Sequence, residues 1–417
     1  MATNPCPTDW RESLDRTIDE HFQTLVEIRR HLHAHPELSG EERDTTLHLY
    51  QQLDDRGFTQ RMGPEGCGII ADSQPDSSEF IALRADIDAL RIHDAKQVEY
   101  RSRNDGIMHA CGHDAHTATV FGAITAVKRL SDQGQLPWAV QLRGIFQPAE
   151  ETCGGAKQMI EAGALDDVTS VVAIHVDPTR QVGRIGLREG VLTANCDEMH
   201  IRITGRGGHA ARPHEANDPI AAAAQLVNAL YLYIPRVTDS QNAAVVTIGQ
   251  LVGGDTANVI PEEVTLRGTI RALDRVVRRD TMEHICRIAS GIGSTTDTKI
   301  DVHFGLGCNS VVNDSGLVGV LRHAGREVLG SDGLEEIERP SMGSEDFAFY
   351  GAKVPTAMFR LGCSSDRYGG SSLHTPTFDI DEEALRIGAK ILARAAIYLA
   401  DPDRKRRIEA NQASGTW

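Results

Sequence analysis

FIALRADID, Phe80 to Asp88, is a short apolar run that ends in two aspartates. It is too short for a buried helix and is bounded by polar residues, so it reads as a strand covered on both faces. AVQLRGIF (139–146) and VTSVVAIH (168–175) repeat the type. The first leads to Glu150 and Glu151, and the second closes on His175. Between them HTATVFGAITAVKRL (116–130) carries helical periodicity. Strands alternating with helices predict an α/β fold with a largely parallel central sheet flanked by helices. Ionisable residues just past strand ends point to the edge where open α/β sheets bind ligands.

Upstream, Leu14, Ile18, Phe22, Leu25, Ile28 and Leu32 recur at three- and four-residue spacing. They predict one amphipathic helix that stops near His35, because Pro36 disfavours helical geometry in the residue before it. Downstream the pattern changes near residue 192. MHIRIT (199–204), AAVVTIGQLV (243–252), EVTLRGTIRAL (263–273) and KIDVHFGL (299–306) read as strands. DPIAAAAQLVNALYLY (218–233) and RVVRRDTMEHICRIASGI (275–292) read as helices. The order β-α-β-β-α-β is the ferredoxin-like unit. It predicts an α+β satellite domain at 192–306, inserted between two parts of the first domain, 1–191 and 307–417. At 417 residues, two domains are also the default from size alone.

Acidic residues outnumber basic ones 59 to 43, a formal charge of −16. That field repels phosphate, so nucleic acid and anionic membranes are excluded as expected partners. No run of about 18 apolar residues is evident, so no membrane span is expected. The N-terminal stretch MATNPCPTDWRESLDR lacks a signal-peptide core. The eight cysteines are scattered without a C-x-x-C pair, which predicts reduced thiols and a cytoplasmic location.

MHACGHDAHTAT (108–119) sets Cys111 among His109, His113, Asp114 and His116. From the residues alone, Cys111 has three readings: a nucleophile, a metal ligand or a small buried side chain. Thiolate, imidazole and carboxylate together form a mixed set suited to zinc, with manganese or cobalt as options. His31, His33 and His35 end a helix at a proline and are expected to cap and pack there. His109 and His116 are expected to orient a ligand or to be structural rather than to bind metal themselves. Glu345 and Asp346 are read the same way, with loop capping as the equal alternative.

MHACGHDAHTA (108–118), IFQPAEE (145–151), AIHVDP (173–178), GGHAARPHE (207–215), GSEDFAFY (343–350) and LHTPTF (373–378) occur in this order. The series resembles the dinuclear metallo-amidohydrolases of the aminoacylase/carboxypeptidase superfamily, in particular the hippurate and indole-acetyl-amino-acid hydrolases. RRHLHAHPELSGEE (29–42) and ALRADIDAL (82–90) match that subgroup too, and the second match implies that Asp86 and Asp88 lie beneath the metals and orient a ligand. The resemblance implies that Cys111 bridges two divalent metal ions. Glu151 and His374 would complete one site, and His113 and His175 the other. The ions would be zinc or manganese, with cobalt or nickel as alternatives. Such a pair, about 3.5–4 Å apart, can hold a hydroxide and polarise a carbonyl.

Glu150 would then be the general base. His209 would donate to the developing oxyanion, often from the partner subunit of a dimer. Asn258 and Arg271 are candidate grips for the substrate carboxylate, although a solvated strand position explains Arg271 equally well. The implied reaction is hydrolysis of the amide of an N-acyl or N-aroyl amino acid, by a homodimer or higher homo-oligomer. A carboxypeptidase or dipeptidase acting on small peptides is the alternative. A binding protein without catalysis is disfavoured, because binding alone does not require Glu150. The chain departs from the subgroup at Thr152 and Cys153, where glycines are usual, in ALRI (89–92) for ALPI, and at Leu373.

Overall fold

The computed structural model describes residues 9–74, 79–305, 307–368 and 371–403. Cys6, Leu306 and the final tail lie outside them. The chain divides into two compact units, one of residues 1–190, 312–338 and 349–417 and one of residues 191–311 and 339–348.

The first unit is built on an eight-stranded mixed sheet. Its four central strands, Leu142–Gln147, Phe80–Asp86, Val168–Gln181 and Thr356–Ser364, are parallel. Phe80–Asp86 and Leu142–Gln147 are buried along their whole length, the property that their unbroken apolar runs predicted. Towards the edges the pairing turns antiparallel, with Ile69–Asp72 beside Leu142–Gln147 and Ile185–Leu187 beside Thr356–Ser364. Helices His113–Asp132 and Glu383–Leu399 belong to the same core, with Ala118, Phe121, Ala389 and Leu392 buried.

Three elements differ from the sequence expectation. The N-terminal helix is two helices, Trp10–Glu20 and Phe22–Ala34, broken at His21 (φ −99°, ψ 6°). The His21 ring bonds the Thr17 carbonyl through Nδ1 at 2.8 Å. The apolar stripe nevertheless continues through the break, since Leu14, Ile18, Leu25, Ile28 and Leu32 are all buried. Strand pairing in AVQLRGIF starts only at Leu142. The strand holding His175 does not end there but runs on to Gln181, because Thr356–Ser364 pairs with it along that stretch.

The second unit carries a four-stranded antiparallel sheet in the order Ala244–Val252, Glu263–Ala272, Asn195–Thr204, Lys299–Phe304. With helices Pro219–Val237 and Arg275–Thr296 this is the β-α-β-β-α-β arrangement. Met199, Ile201 and Ile203 are buried while Arg202 and Thr204 are exposed, the alternation of a sheet with one covered face. Asp218 and Asp274 cap the two helices by accepting backbone N–H bonds from their first turns. Pro219–Val237 has the length and composition to cross a membrane, contrary to the expectation of no such span. Its face of Ala222, Ala223, Leu226, Leu230 and Ile234 is nonetheless packed in the core of this unit. Residues 339–348, which include Glu345 and Asp346, cluster with this unit.

Candidate metal centre

Four separate segments of the first unit converge here. Cys111 and His113 straddle Gly112, the N-cap of the helix His113–Asp132, which begins before the periodic stretch 116–130. Gly112 adopts φ 88°, and a Cβ there would lie 2.4 Å from Val176 Cγ2. Only glycine allows the two side chains to flank that turn. Glu150 and Glu151 follow the strand Leu142–Gln147 in a tight turn. Ala149 (φ 52°) and Cys153 (φ 55°) both hold left-handed backbone in it. His175 comes from mid-strand, and His374, also left-handed at φ 60°, is anchored by its N–H to Ala110 O at 2.8 Å.

The donor atoms of these residues meet. Cys111 Sγ lies 3.6 Å from His175 Nε2. Glu151 Oε1 lies 3.4 Å from His374 Nε2 and 3.8 Å from His113 Nε2. Ligand atoms of Cys111, His113 and Glu151 all fall within 4.8 Å of one another. The structure thus brings together all five residues for which the motif order implied metal binding.

Hydrogen bonds set the imidazoles. His113 donates from Nδ1 to Asp88 (2.9 Å to O, 3.2 Å to Oδ1), and His175 donates from Nδ1 to Val176 O at 2.8 Å. Each therefore turns the lone pair of Nε2 towards Cys111, the arrangement that a carboxylate or carbonyl behind a ligand imposes. His113 Nε2 and Glu151 Oε1 are buried with no hydrogen-bond partner. Buried polar atoms are rarely left so, and two converging ones fit a cation between them. His116 is different. Its Nδ1 bonds Asp86 at 2.6 Å and its Nε2 accepts the Val176 N–H at 2.9 Å, so no lone pair remains.

The charge balance also fits a cation. Burial opposes the charged form of His113, but Asp86, Cys111 and the Asp88 hydrogen bond raise its pKa well above the ordinary value. His374 is pushed up to about 10 by the acidic groups beside it, Cys111 and Glu151, against the effect of burial. His175 moves well below its ordinary value through burial and the nearby Arg360 and His116. Asp88 stays low despite burial because His113, the Glu151 N–H and Ser39 bond it. The pocket is negative and calls for positive charge, which a divalent ion supplies.

Glu150 is buried beside Glu151. His33 is no simple cap: it is fully buried and bonded to Asp114 at 2.8 Å. His31 and His35 do end their helix, His31 stacking on His48 at 3.9 Å. Glu345 accepts the Phe347 N–H at 3.2 Å, a local loop bond.

In the second unit, His209 pairs with Val259 in a short antiparallel ladder, and the Ala210 N–H bonds Asn258 O at 3.1 Å, so His209 and Asn258 are neighbours. His209 Nδ1 accepts the Ala211 N–H at 3.0 Å, which leaves Nε2–H as the outward donor. Arg271 is not with them. It pairs with Cys196 near the far end of the strand Glu263–Ala272 and donates to Met342 O at 3.0 Å. The sequence reasoning missed Ser39 and Glu42, which bond Asp88 Oδ2 and the Ala149 N–H at 2.7 and 2.8 Å. Both lie in the quoted stretch 29–42, but only the folded chain supplies their partners.

Residues 82–398 match the family model Peptidase family M20/M25/M40. The chain is 37% identical over 386 residues to N-acetyl-L-cysteine deacetylase of Bacillus subtilis, covering 92% of this chain and 90% of that protein. It is 34% identical over 392 residues to IAA-amino acid hydrolase ILR1-like 4 of Arabidopsis thaliana, covering 91% and 86%. The crystal structure of the Bacillus subtilis YXEP protein, a dinuclear metal binding peptidase from the M20 family, aligns with a TM-score of 0.77 at 32% identity, covering 91% of this chain and 98% of that one. The chain belongs to the peptidase family M20/M25/M40.

Proposed function

We propose that this chain hydrolyses the amide bond of N-acyl or N-aroyl amino acids with two divalent metal ions. The observation that carries the reading is the convergence of five donor residues in which the buried His113 Nε2 and Glu151 Oε1 have no hydrogen-bond partner, beside a second glutamate. Cys111 would be shared by both ions, with Glu151 and His374 on one and His113 and His175 on the other. Zinc or manganese suits this donor set. Two such ions supply Lewis acidity and lower the pKa of water.

The chain's own residues do the rest. Glu150 takes a proton from the attacking water and returns it to the leaving amine nitrogen. Asp88 holds the His113 ring, and the Val176 carbonyl holds that of His175. His209 offers Nε2–H to the developing oxyanion, and its neighbour Asn258 is assigned to the substrate carboxylate, a role that the place of Arg271 apart from both does not support for Arg271. The second unit would serve as the satellite and subunit-contact domain of a homodimer or higher oligomer. Cys67, Cys111, Cys286 and Cys363 are free thiols, in keeping with a reducing cytoplasm. The names of the deacetylase and amino acid hydrolase relatives support an acylated amino acid as substrate class.

The peptidase named among the solved structures favours a second reading, cleavage of small peptides. The test is metal analysis of purified protein, then a screen of N-acetyl and N-aroyl amino acids against dipeptides with that metal restored. Chelator-sensitive turnover of the acyl amino acids is expected. Faster dipeptide cleavage would select the second reading. Chelator-resistant activity abolished by a thiol reagent would reject both in favour of a cysteine nucleophile.

A further inference from the structure

We infer that Glu42 is a positioning residue for the Glu150–Glu151 turn, acting through the backbone N–H of Ala149; this rests on the reading of Glu150 as base and Glu151 as ligand. Glu42 is fully buried and is the N-cap residue of the helix Arg43–Asp54, yet its carboxylate makes no capping bond to that helix. Oε1 instead reaches 107 residues along the chain to accept the Ala149 N–H at 2.8 Å, while Oε2 is buried with no hydrogen-bond partner. Burying a carboxylate in this way is costly, so the contact must hold something that the fold would not otherwise hold.

What it holds is Ala149 at φ 52°. Left-handed backbone is disfavoured for a non-glycine residue, and Ala149 is held in it from both sides, its carbonyl by the Gly155 N–H at 3.1 Å and its N–H by Glu42. Two residues on, Asp88 Oδ2 accepts the Glu151 N–H at 3.0 Å and is itself bonded by Ser39 Oγ at 2.7 Å. Glu150 therefore sits between two backbone amides, each gripped by a buried carboxylate from a different loop. A clamp of this kind sets where the Glu150 and Glu151 carboxylates point, and misplacing a reacting group by about 1 Å costs on the order of 100-fold.

The test uses three variants of the full-length protein. Glu42→Gln keeps an oxygen that can accept the Ala149 N–H. Glu42→Asp draws the acceptor back by one methylene, and Glu42→Met removes it at similar volume. Glu42→Asp and Glu42→Met are expected to lower kcat by about 10- to 100-fold with KM within about threefold, and to weaken metal affinity at the Glu151 site by about 10-fold. Hydrogen–deuterium exchange of peptides covering residues 148–155 should speed up in both variants and not in Glu42→Gln, whose kcat should stay within about threefold of wild type. If Glu42→Asp exchanges and turns over like wild type, the positioning role is wrong, whether or not Glu42→Met folds. If Glu42→Gln falls as far as Glu42→Met, with lowered Tm and unchanged exchange at 148–155, the residue serves overall stability instead. Glu150→Gln run in parallel separates the two levels. Normal turnover there defeats the reading of Glu150 as base, while the exchange rates still decide whether Glu42 holds the turn.

Discussion

Two clusters of buried charge meet on the first turn of the helix His113–Asp132, and they end differently. Asp114 belongs to the first. Arg29 donates to Asp114 Oδ2 at 2.9 Å and to Asp379 Oδ1 at 2.6 Å, Tyr100 donates to Asp379 Oδ2 at 2.8 Å, and His33 lies 2.8 Å from Asp114 and 2.9 Å from Lys96 Nζ. No buried side-chain polar atom of Arg29, His33, Lys96, Asp114 or Asp379 is left without a partner. His113, one residue earlier, belongs to the second, where its Nε2 and Glu151 Oε1 have none. Successive helical residues point about 100° apart, so neighbours in sequence enter different networks. Composition does not separate the clusters, since both are made of imidazole, carboxylate and strong donors. Closure separates them. A network that satisfies itself holds the fold, whereas one that leaves lone pairs converging requires a partner from outside.

Substitutions across the two clusters should have opposite signatures. Glu150→Gln keeps shape but cannot take the proton, so kcat should drop by about 10²–10⁴ with metal content and Tm unchanged. Near-normal turnover would remove Glu150 from the chemistry. Arg29→Met opens the closed cluster and strands Asp114 and Asp379, so unfolding free energy should fall by about 3–5 kcal/mol in denaturant titrations. If that variant kept its stability and lost only activity, the contrast between the clusters would fail. Cys111→Ala should reverse the pattern. Metal content and activity should fall together by more than about tenfold, while Cys363→Ala, in the apolar core, costs stability alone.

Acid should act on the two kinds of group in sequence. Burial, followed by the charges of His31 and His35, pushes His48 down to about 4 from an ordinary 6.5. A depressed histidine stays neutral in the native state while the unfolded chain takes up a proton, so stability falls as pH drops from about 6.5 to 4. Asp114 and Asp379 are also depressed, because Arg29 and their hydrogen bonds outweigh burial. Their contribution is complete above about pH 4 and is lost as pH falls below it. Denaturant midpoints at pH 7, 5 and 3 should show both stages, with His48→Leu reducing only the first, to which buried His109, also held down to about 4, contributes as well. The smallest effect concerns Cys153, left-handed at φ 55° in the turn that carries the glutamates. Cys153→Gly removes that strain but loosens the unfolded chain, for a net gain of roughly 0.5 kcal/mol. A loss of 1 kcal/mol or more by calorimetry would show that its side-chain contacts matter more than its backbone.

Much of this protein was legible in local pattern. The buried strands Phe80–Asp86 and Leu142–Gln147, the ferredoxin-like unit and the helix His113–Asp132 follow from periodicity, because burial on one or both faces depends on residues a few positions apart. The residues alone leave Cys111 with three readings, and the set of five donors comes only from the family resemblance of the ordered motifs. Other features needed the folded chain. His116 sits in the same motif as His113 but donates its Nδ1–H to Asp86 and gives its Nε2 lone pair to the Val176 N–H, 30 and 60 residues away. Arg29 finds Asp379 across 350 residues, and Glu42 finds Ala149 across 107. The break at His21 and the placement of residues 339–348 with the second unit are equally silent in the sequence. A sequence specifies which atoms can donate or accept, but only tertiary packing decides which of them meet, and therefore which lone pairs remain for a ligand.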